Sequence, residues 1–503
     1  MAGRAIMEDD MRTTSTHHAE LEGHPLILLG NQEFEMTRTR RMLSCPRWLL
    51  FVLIGTPWMA ASISCRQSDS NSEPVEEGSA TATGVSVDPG KDAALLGAAT
   101  NPLSSYGDGL RFLRSPRLKS MDVPDFHGAN SIWGATGRDK RGNIYFGVAS
   151  SGVDDPSARL LRYSPREQQF DVMGIVNEEL EKLKVRRQDP FEETQMKIHS
   201  KIFEAGDGNI YFSSQDEHDE AEDGSRNTLF GGRLFSVGIN SKKWECVLTA
   251  PEGLIAVAGG KRFVYALGYF GHVIYRYDVQ KKSLKSVKLG TFRGHVSRNI
   301  FVDSKEHVYG IRLAEYRGVE SSGVSMVAGV PVRAYLVELD EDLNEISEWP
   351  LDDYQPTGDV NSHGITGYAR LLDGNIVFVT HSGSLWRLLV TPKSSKLERL
   401  GWVHPEGTAY CSTLYAPTGK DYVMGFTNTK NGPHEWFVFD LKNRRSTLLR
   451  LDLASQAVVE QEGLLVYGCD TLDDQGNAYA VGWKKSALRN IPSAIQIRWD
   501  SRQ

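Results

Sequence analysis

The chain has 503 residues, 40% of them hydrophobic and 24% charged, with a formal net charge of −7. That length can bury a large core, and the acidic balance excludes a general nucleic-acid binder, which needs a basic face. Beyond the first hundred residues no apolar run approaches the roughly 20 residues that cross a bilayer as a helix.

Residues 1–41 form a polar extension without periodicity. Arg38, Arg40 and Arg41 then precede the apolar run from Trp48 to Gly55, followed by Pro57 and the small residues Ala60, Ala61 and Ser62. A basic region, an apolar region and a cleavage region in that order read as an export signal over residues 42–65. Its distance from Met1 predicts a start at Met36 or Met42 instead. The end of the segment resembles a bacterial lipoprotein signal, which implies lipidation of Cys65. Ser62 stands where that pattern has leucine, so plain cleavage nearby and retention as an anchor stay open. Residues 66–109 are rich in Ser, Ala, Thr, Gly, Glu and Asp and nearly free of aromatics, the composition of a flexible tether. The expectation is an exported body, periplasmic or at the cell surface, monomeric and held at the membrane only through its N-terminus.

Residues 110–503 repeat one motif. In Gln195–Gln215, Ile198, Ser200 and Ile202 alternate with Lys197, His199 and Lys201; Gly206-Asp207-Gly208-Asn209 supplies a turn, and Ile210-Tyr211-Phe212 begins a second strand. Related hairpins follow from Trp133 to Tyr479, roughly 45–70 residues apart, the period of four-stranded propeller blades. The fold class expected is all-β, a β-propeller of seven four-stranded blades. Arg111-Phe112-Leu113 is expected to pair with the last blade and close the ring, removing exposed strand edges. Cys246, Cys411 and Cys469 lack metal-type spacing and read as core residues. The cadence D-x-x-G-N-I-Y-F followed by L-x-R-Y-D resembles quinoprotein-like, NHL and lactonase-like propellers, a resemblance that implies architecture and no single activity.

On that map the connectors entering the inner strands, together with those joining second to third strands, share one rim. His127, His199, His295, His363 and His404 fall in the first set, and His218, His272, His381 and His434 in the second. His307 falls elsewhere. Histidines converging on one mouth suit a divalent metal or acid–base chemistry, and His199, His295 and His363 are the candidate ligands. Lys197, Lys201, Arg293 and Arg298 add positive charge for a carboxylate or sulfate, unless Glu204 and Asp303 neutralise them. Trp133, Tyr269, Tyr410 and Tyr467, with His272 and His381, are candidate contacts for a saccharide. The acidic run Gln215–Gly224 lacks the spacing of a Ca²⁺ loop and reads as a solvated insertion.

Two functions follow. One is a binding module whose rim holds a saccharide or an envelope protein. The other is a metal-assisted lyase or hydrolase on an anionic saccharide. Some propeller lyases hold a divalent metal with channel histidines, and His199, His295 and His363 look similar in placement; Lys197 and Arg293 would then steady the developing charge.

Overall fold

The structure, a computed structural model, describes residues 109–499 except 190, 222–223, 320, 355–362, 430–431 and 462. The N-terminal extension, the export signal with Cys65, and the tether up to residue 108 lie outside the described residues.

Antiparallel pairing dominates. Ile144–Ser150 pairs with Thr136–Arg138 on one side and Arg159–Ser164 on the other, and Gln169–Ile175 adds the outer strand. The same order recurs, for example in Leu254–Gly259, Phe263–Gly268, Val273–Asp278 and Ser283–Lys288. Among the described residues the strands form six sheets, the ten-stranded one joining two such units through a parallel pair. Inner strands of neighbouring units pair in parallel at two places, Thr136–Arg138 with Ile202–Glu204 and Thr413–Leu414 with Leu465–Cys469.

The cores explain how the units are arranged. Alternation of side chains gives each sheet two faces, and both are apolar here because each packs against a neighbouring unit. Val257 and Ala266 of the third unit join Tyr211 and Leu234 of the second, and Val377 and Leu385 of the fifth join Val423 and Phe437 of the sixth. The last link joins Tyr479 and Val481 of the seventh unit to Phe146 of the first. With the remaining shared clusters these contacts run through every unit and return to the start. The fold is a β-propeller.

Closure differs from expectation in one detail. The strand that completes the last unit is Arg117–Met121, paired with Asn490–Arg498. Gly109–Leu113 is instead a 3-10 turn, and Phe112 is buried edge-on against Trp499 at 5.1 Å. The apolar residue was a core signal, while Pro116, which disfavours helix at the residue before it, leads into the strand.

In three of the units the turn between first and second strands is fixed by the same carboxylate. Asp139 accepts from the backbone N–H of Arg141 and Asn143, from the Asn143 amide and from the Tyr145 hydroxyl. Asp473, with Gln475, Asn477 and Tyr479, repeats this atom for atom. Asp303 does the same toward Lys305, His307 and Tyr309, except that His307 replaces the asparagine. A buried carboxylate is tolerated where its lone pairs are filled by donors in this way.

Candidate functional site: the histidine-bearing mouth

The opposite end of the hairpins is less regular. Inner strands lose register at Ala129/Ser131, Leu254/Ala256 and Ile365/Gly367. In the second unit the inner strand is broken outright: Lys197–Ile198 and Ile202–Glu204 are separate strands. The Ser200 hydroxyl takes the ladder's place by accepting from Ser213 N–H at 2.8 Å. Bulges of this kind redirect side chains, and here His199 and Lys201 both line a slot with Trp133, Arg298, Thr366 and Tyr467. Residues from five units thus meet in the channel. The slot is about 20 Å³, room for a single water-sized group.

Arg298 is the centre of the arrangement. One guanidinium nitrogen lies 3.3 Å from His199 Nε2, and the guanidinium sits 4.3 Å from the Tyr467 ring centre and 5.9 Å from that of Trp133. Its Nε is buried without a hydrogen-bond partner, and no described carboxylate pairs with it. Lys197 Nζ stands 4.0 Å over the Trp133 ring and is paired with Glu217 at 2.6 Å. Trp133 itself packs at 4.1 Å on Trp483 and at 6.4 Å, nearly parallel, on Tyr467. Two cations therefore flank one indole on an aromatic platform. Arg293 is exposed on the rim, in a left-handed backbone conformation, over Phe292.

The expected neutralisation takes another form. Glu204 is engaged by Lys140, and Asp303 by Lys305 and its turn. Lys201 is buried and meets no described carboxylate; its ammonium donates to Thr136 Oγ1 at 3.0 Å, Thr471 Oγ1 at 2.8 Å and the Cys469 carbonyl, tying three units together across the channel. Burial lowers its pKa from the usual lysine value.

The histidines spread along the mouth. His199 donates through Nδ1 to the Ile255 carbonyl at 3.1 Å, leaving the Nε2 lone pair toward Arg298. Burial, then the charges of Arg298 and Lys197, holds it well below its ordinary pKa. His295 has both nitrogens engaged, Nδ1 with Thr291 at 3.0 Å and Nε2 with the Tyr354 hydroxyl. His363 lies 3.4 Å from the Tyr410 hydroxyl and is likewise held neutral by burial and by Arg298. His272 is fully buried in left-handed backbone, bonded to the Ile311 carbonyl at 2.8 Å, with its Nε2 unpartnered. Its ring lies 5.3 Å from that of His295, and Tyr354 links His295 to His381. His404 pairs with Glu435 at 3.3 Å, and His434 with the Leu464 carbonyl.

The three histidines read as metal ligands are not drawn to one point. Among the described residues, the group that gathers three ligand atoms is Asp303, His307 and Glu338, at the turn end. There the Lys305 ammonium, 3.4 Å from Glu338, already occupies the carboxylates. A guanidinium beside His199 and two filled nitrogens on His295 do not fit a divalent cation in this arrangement.

The acidic run differs from a solvated insertion. Asp216 is fully buried, accepting from His218 and from the Phe230 N–H. Tyr269 is buried, its hydroxyl accepting from the Gln215 amide at 3.1 Å. Sequence reasoning missed Trp483, Tyr354 and these acidic contacts. Trp483 closes the strand Ala478–Lys485, where an aromatic before two lysines at a strand end was the available signal.

No family model matches the chain, and no curated protein matches it either. Solved structures do resemble it. The WD40 repeats of RRP9 align over 77% of this chain and 99% of their own, at 11% identity and a TM-score of 0.44. The propeller domain of Myceliophteria thermophila Swd1 covers 76% and 99%, at 9% identity and 0.42. Oligogalacturonate lyase from Vibrio parahaemolyticus covers 77% and 98%, at 8% identity and 0.39. These neighbours are β-propellers. Their likeness stops at the fold, and the mouth has to be interpreted from its own residues.

Proposed function

We propose that the mouth binds an anionic saccharide, with one oxygen of a carboxylate or sulfate entering the slot at Arg298 and the sugar ring outside it, over the edges of Trp133 and Tyr467. The observation that carries this reading is Arg298, a cation seated on aromatic rings with an unfilled buried donor and no described carboxylate partner. An unfilled donor of this kind costs about 1–3 kcal/mol, which a bound anion would recover. Export, expected from the segment ahead of Cys65, would present the mouth to envelope polysaccharides, and an envelope protein bearing an acidic surface is the other ligand this charge would suit.

Cleavage of the same saccharide by a histidine-held metal is the second reading, and the dispersal of His199, His295 and His363 favours binding over it. Titration calorimetry of the full chain against uronic-acid and sulfated oligosaccharides tests the proposal. Binding that weakens at least about tenfold in Arg298→Met supports it; equal binding by that variant, or turnover of the saccharide lost on metal chelation, overturns it.

A further inference from the structure

The slot in the mouth is lined by two cations and has room for one small group. Arg298 enters it from the connector leading into the fourth unit, and Lys201 from the broken inner strand of the second. Gly134, in left-handed backbone, keeps the space open, since a Cβ there would lie 3.6 Å from Tyr467 Cβ. Neither cation is neutralised by a described carboxylate. Asp470, which follows the Cys469 carbonyl held by Lys201, is spent on Arg370 at 3.4 Å, and Glu217 is spent on Lys197. The other polar side chains of the wall are committed as well. The Asn299 amide donates to the Ile365 and Thr366 carbonyls at 3.2 Å each, and the Thr366 hydroxyl donates to the Cys411 carbonyl.

What the slot's residues leave unanswered is the buried Nε–H of Arg298 and two positive charges. A water in the slot would fill the donor and leave both charges standing. A monatomic anion answers donor and charges together, in surroundings where water screens them little. The volume, about 20 Å³, holds one such ion and no whole sulfate or carboxylate group.

We propose that the slot is a halide site, taking chloride or bromide between Arg298 and Lys201. This rests on the reading of Arg298 as the anion-binding group and adds its regulation. The slot holds one group at a time, so a halide and the oxygen of a bound saccharide exclude one another. Chloride is then a competitive antagonist of the saccharide, lowering its apparent affinity about tenfold when chloride stands at about ten times its own Kd. Screening by salt acts alike for chloride and fluoride at equal concentration. Occupancy of a dry slot distinguishes them, because fluoride gives up its water least readily.

The test uses the full chain. Line broadening in chloride NMR reads halide exchange at the protein, and calorimetry with uronic-acid and sulfated oligosaccharides, in sodium chloride and in sodium fluoride at equal ionic strength, reads the competition. The expected result is broadening that is lost in Arg298→Met, is reversed by added saccharide, and is kept in Arg166→Met, which removes an equal charge from an exposed arginine beside Asp474 at the turn end. Saccharide affinity should be about tenfold lower in chloride, at about ten times the Kd that NMR gives, than in fluoride. Anomalous scattering from bromide-soaked crystals of the parent locates the ion without any variant, and a peak between Arg298 and Lys201 is expected. No peak there, no broadening in the parent, or equal broadening in Arg298→Met overturns the halide site. Saccharide binding that needs Arg298 and is equal in the two salts also overturns it, and leaves the saccharide reading standing. Broadening that needs Arg298, with no binding of either saccharide, supports the halide site and overturns the saccharide reading instead.

Discussion

The two ends of the hairpins carry polar groups in opposite ways. At the turn end, Asp139, Asp303 and Asp473 meet the same kinds of donor in the same order, and each carboxylate is filled. At the mouth nothing repeats: Arg298 Nε and His272 Nε2 are buried without partners, the inner strands lose register, and cations sit on aromatic rings. Repetition with filled carboxylates is what a scaffold needs, because these three units solve the same turn problem. Irregularity with unfilled donors costs stability at each position, and a structure keeps it where something else is to be bound. The difference supports the proposal that the mouth is the working end.

The sharpest way to break the comparison is to damage the turn end. Asp473→Ala would strand two backbone N–H groups, the Asn477 amide and the Tyr479 hydroxyl, all of them buried except the part-buried Gln475 N–H. A loss of about 3–5 kcal/mol is expected in urea unfolding, with anion affinity of the folded fraction unchanged. A loss under 1 kcal/mol would mean the turn carboxylates are not scaffold.

The second effect is the acid stability of the mouth. His272 is pushed down to about 4, chiefly by burial, and His199, His295 and His363 are depressed as well. For each, the unfolded chain takes up a proton near pH 6.5 that the folded chain refuses. Their contribution is complete above about pH 6.5 and is lost as pH falls toward 4, where the unfolded state binds more protons. Unfolding free energy measured from pH 7 to 4 should therefore fall by a few kcal/mol. His272→Leu should flatten the slope over that window, and an unchanged slope would show that His272 is accessible to protons.

How much of this was legible in the sequence follows the same division. The turn end was readable because its signal is local: Asp207, Gly208, Asn209 and Tyr211 lie within five residues, and the cadence recurs. Histidine and cation placement on one rim was readable too, since it needs only the order of strands. What escaped is whatever depends on residues far apart in the chain. Lys201 reaches Thr471, and Arg298 reaches Tyr467 and His199. Charge type alone suggested Glu204 and Asp303 as partners, whereas position in the ring assigns Glu217 to Lys197. Closure by Arg117–Met121 instead of residues 111–113 is the same kind of miss, because Phe112 and Leu118 are both buried and only pairing with Asn490–Arg498 distinguishes strand from turn.

The smallest expected effect sharpens the comparison most, because it concerns the one of these three aspartate turns in which a histidine replaces the asparagine. His307 stands where Asn143 and Asn477 stand, and its Nδ1 is 2.8 Å from Glu338. That hydrogen bond raises the His307 pKa, while Glu338 is held down to about 2, burial being outweighed by bonds from His307 and Tyr309 and by the charge of Lys305. A raised histidine stabilises the fold fully below its unfolded value near 6.5 and loses that contribution as pH rises through its folded value. His307→Asn would install the common turn and remove the dependence. The difference in unfolding free energy between pH 6 and pH 9 should shrink by about 1 kcal/mol in the variant, with stability at pH 9 equal to or above the parent's. If the variant is instead destabilised equally at both pH values, the histidine is needed for its shape, and the turn end holds a second irregularity that charge does not explain.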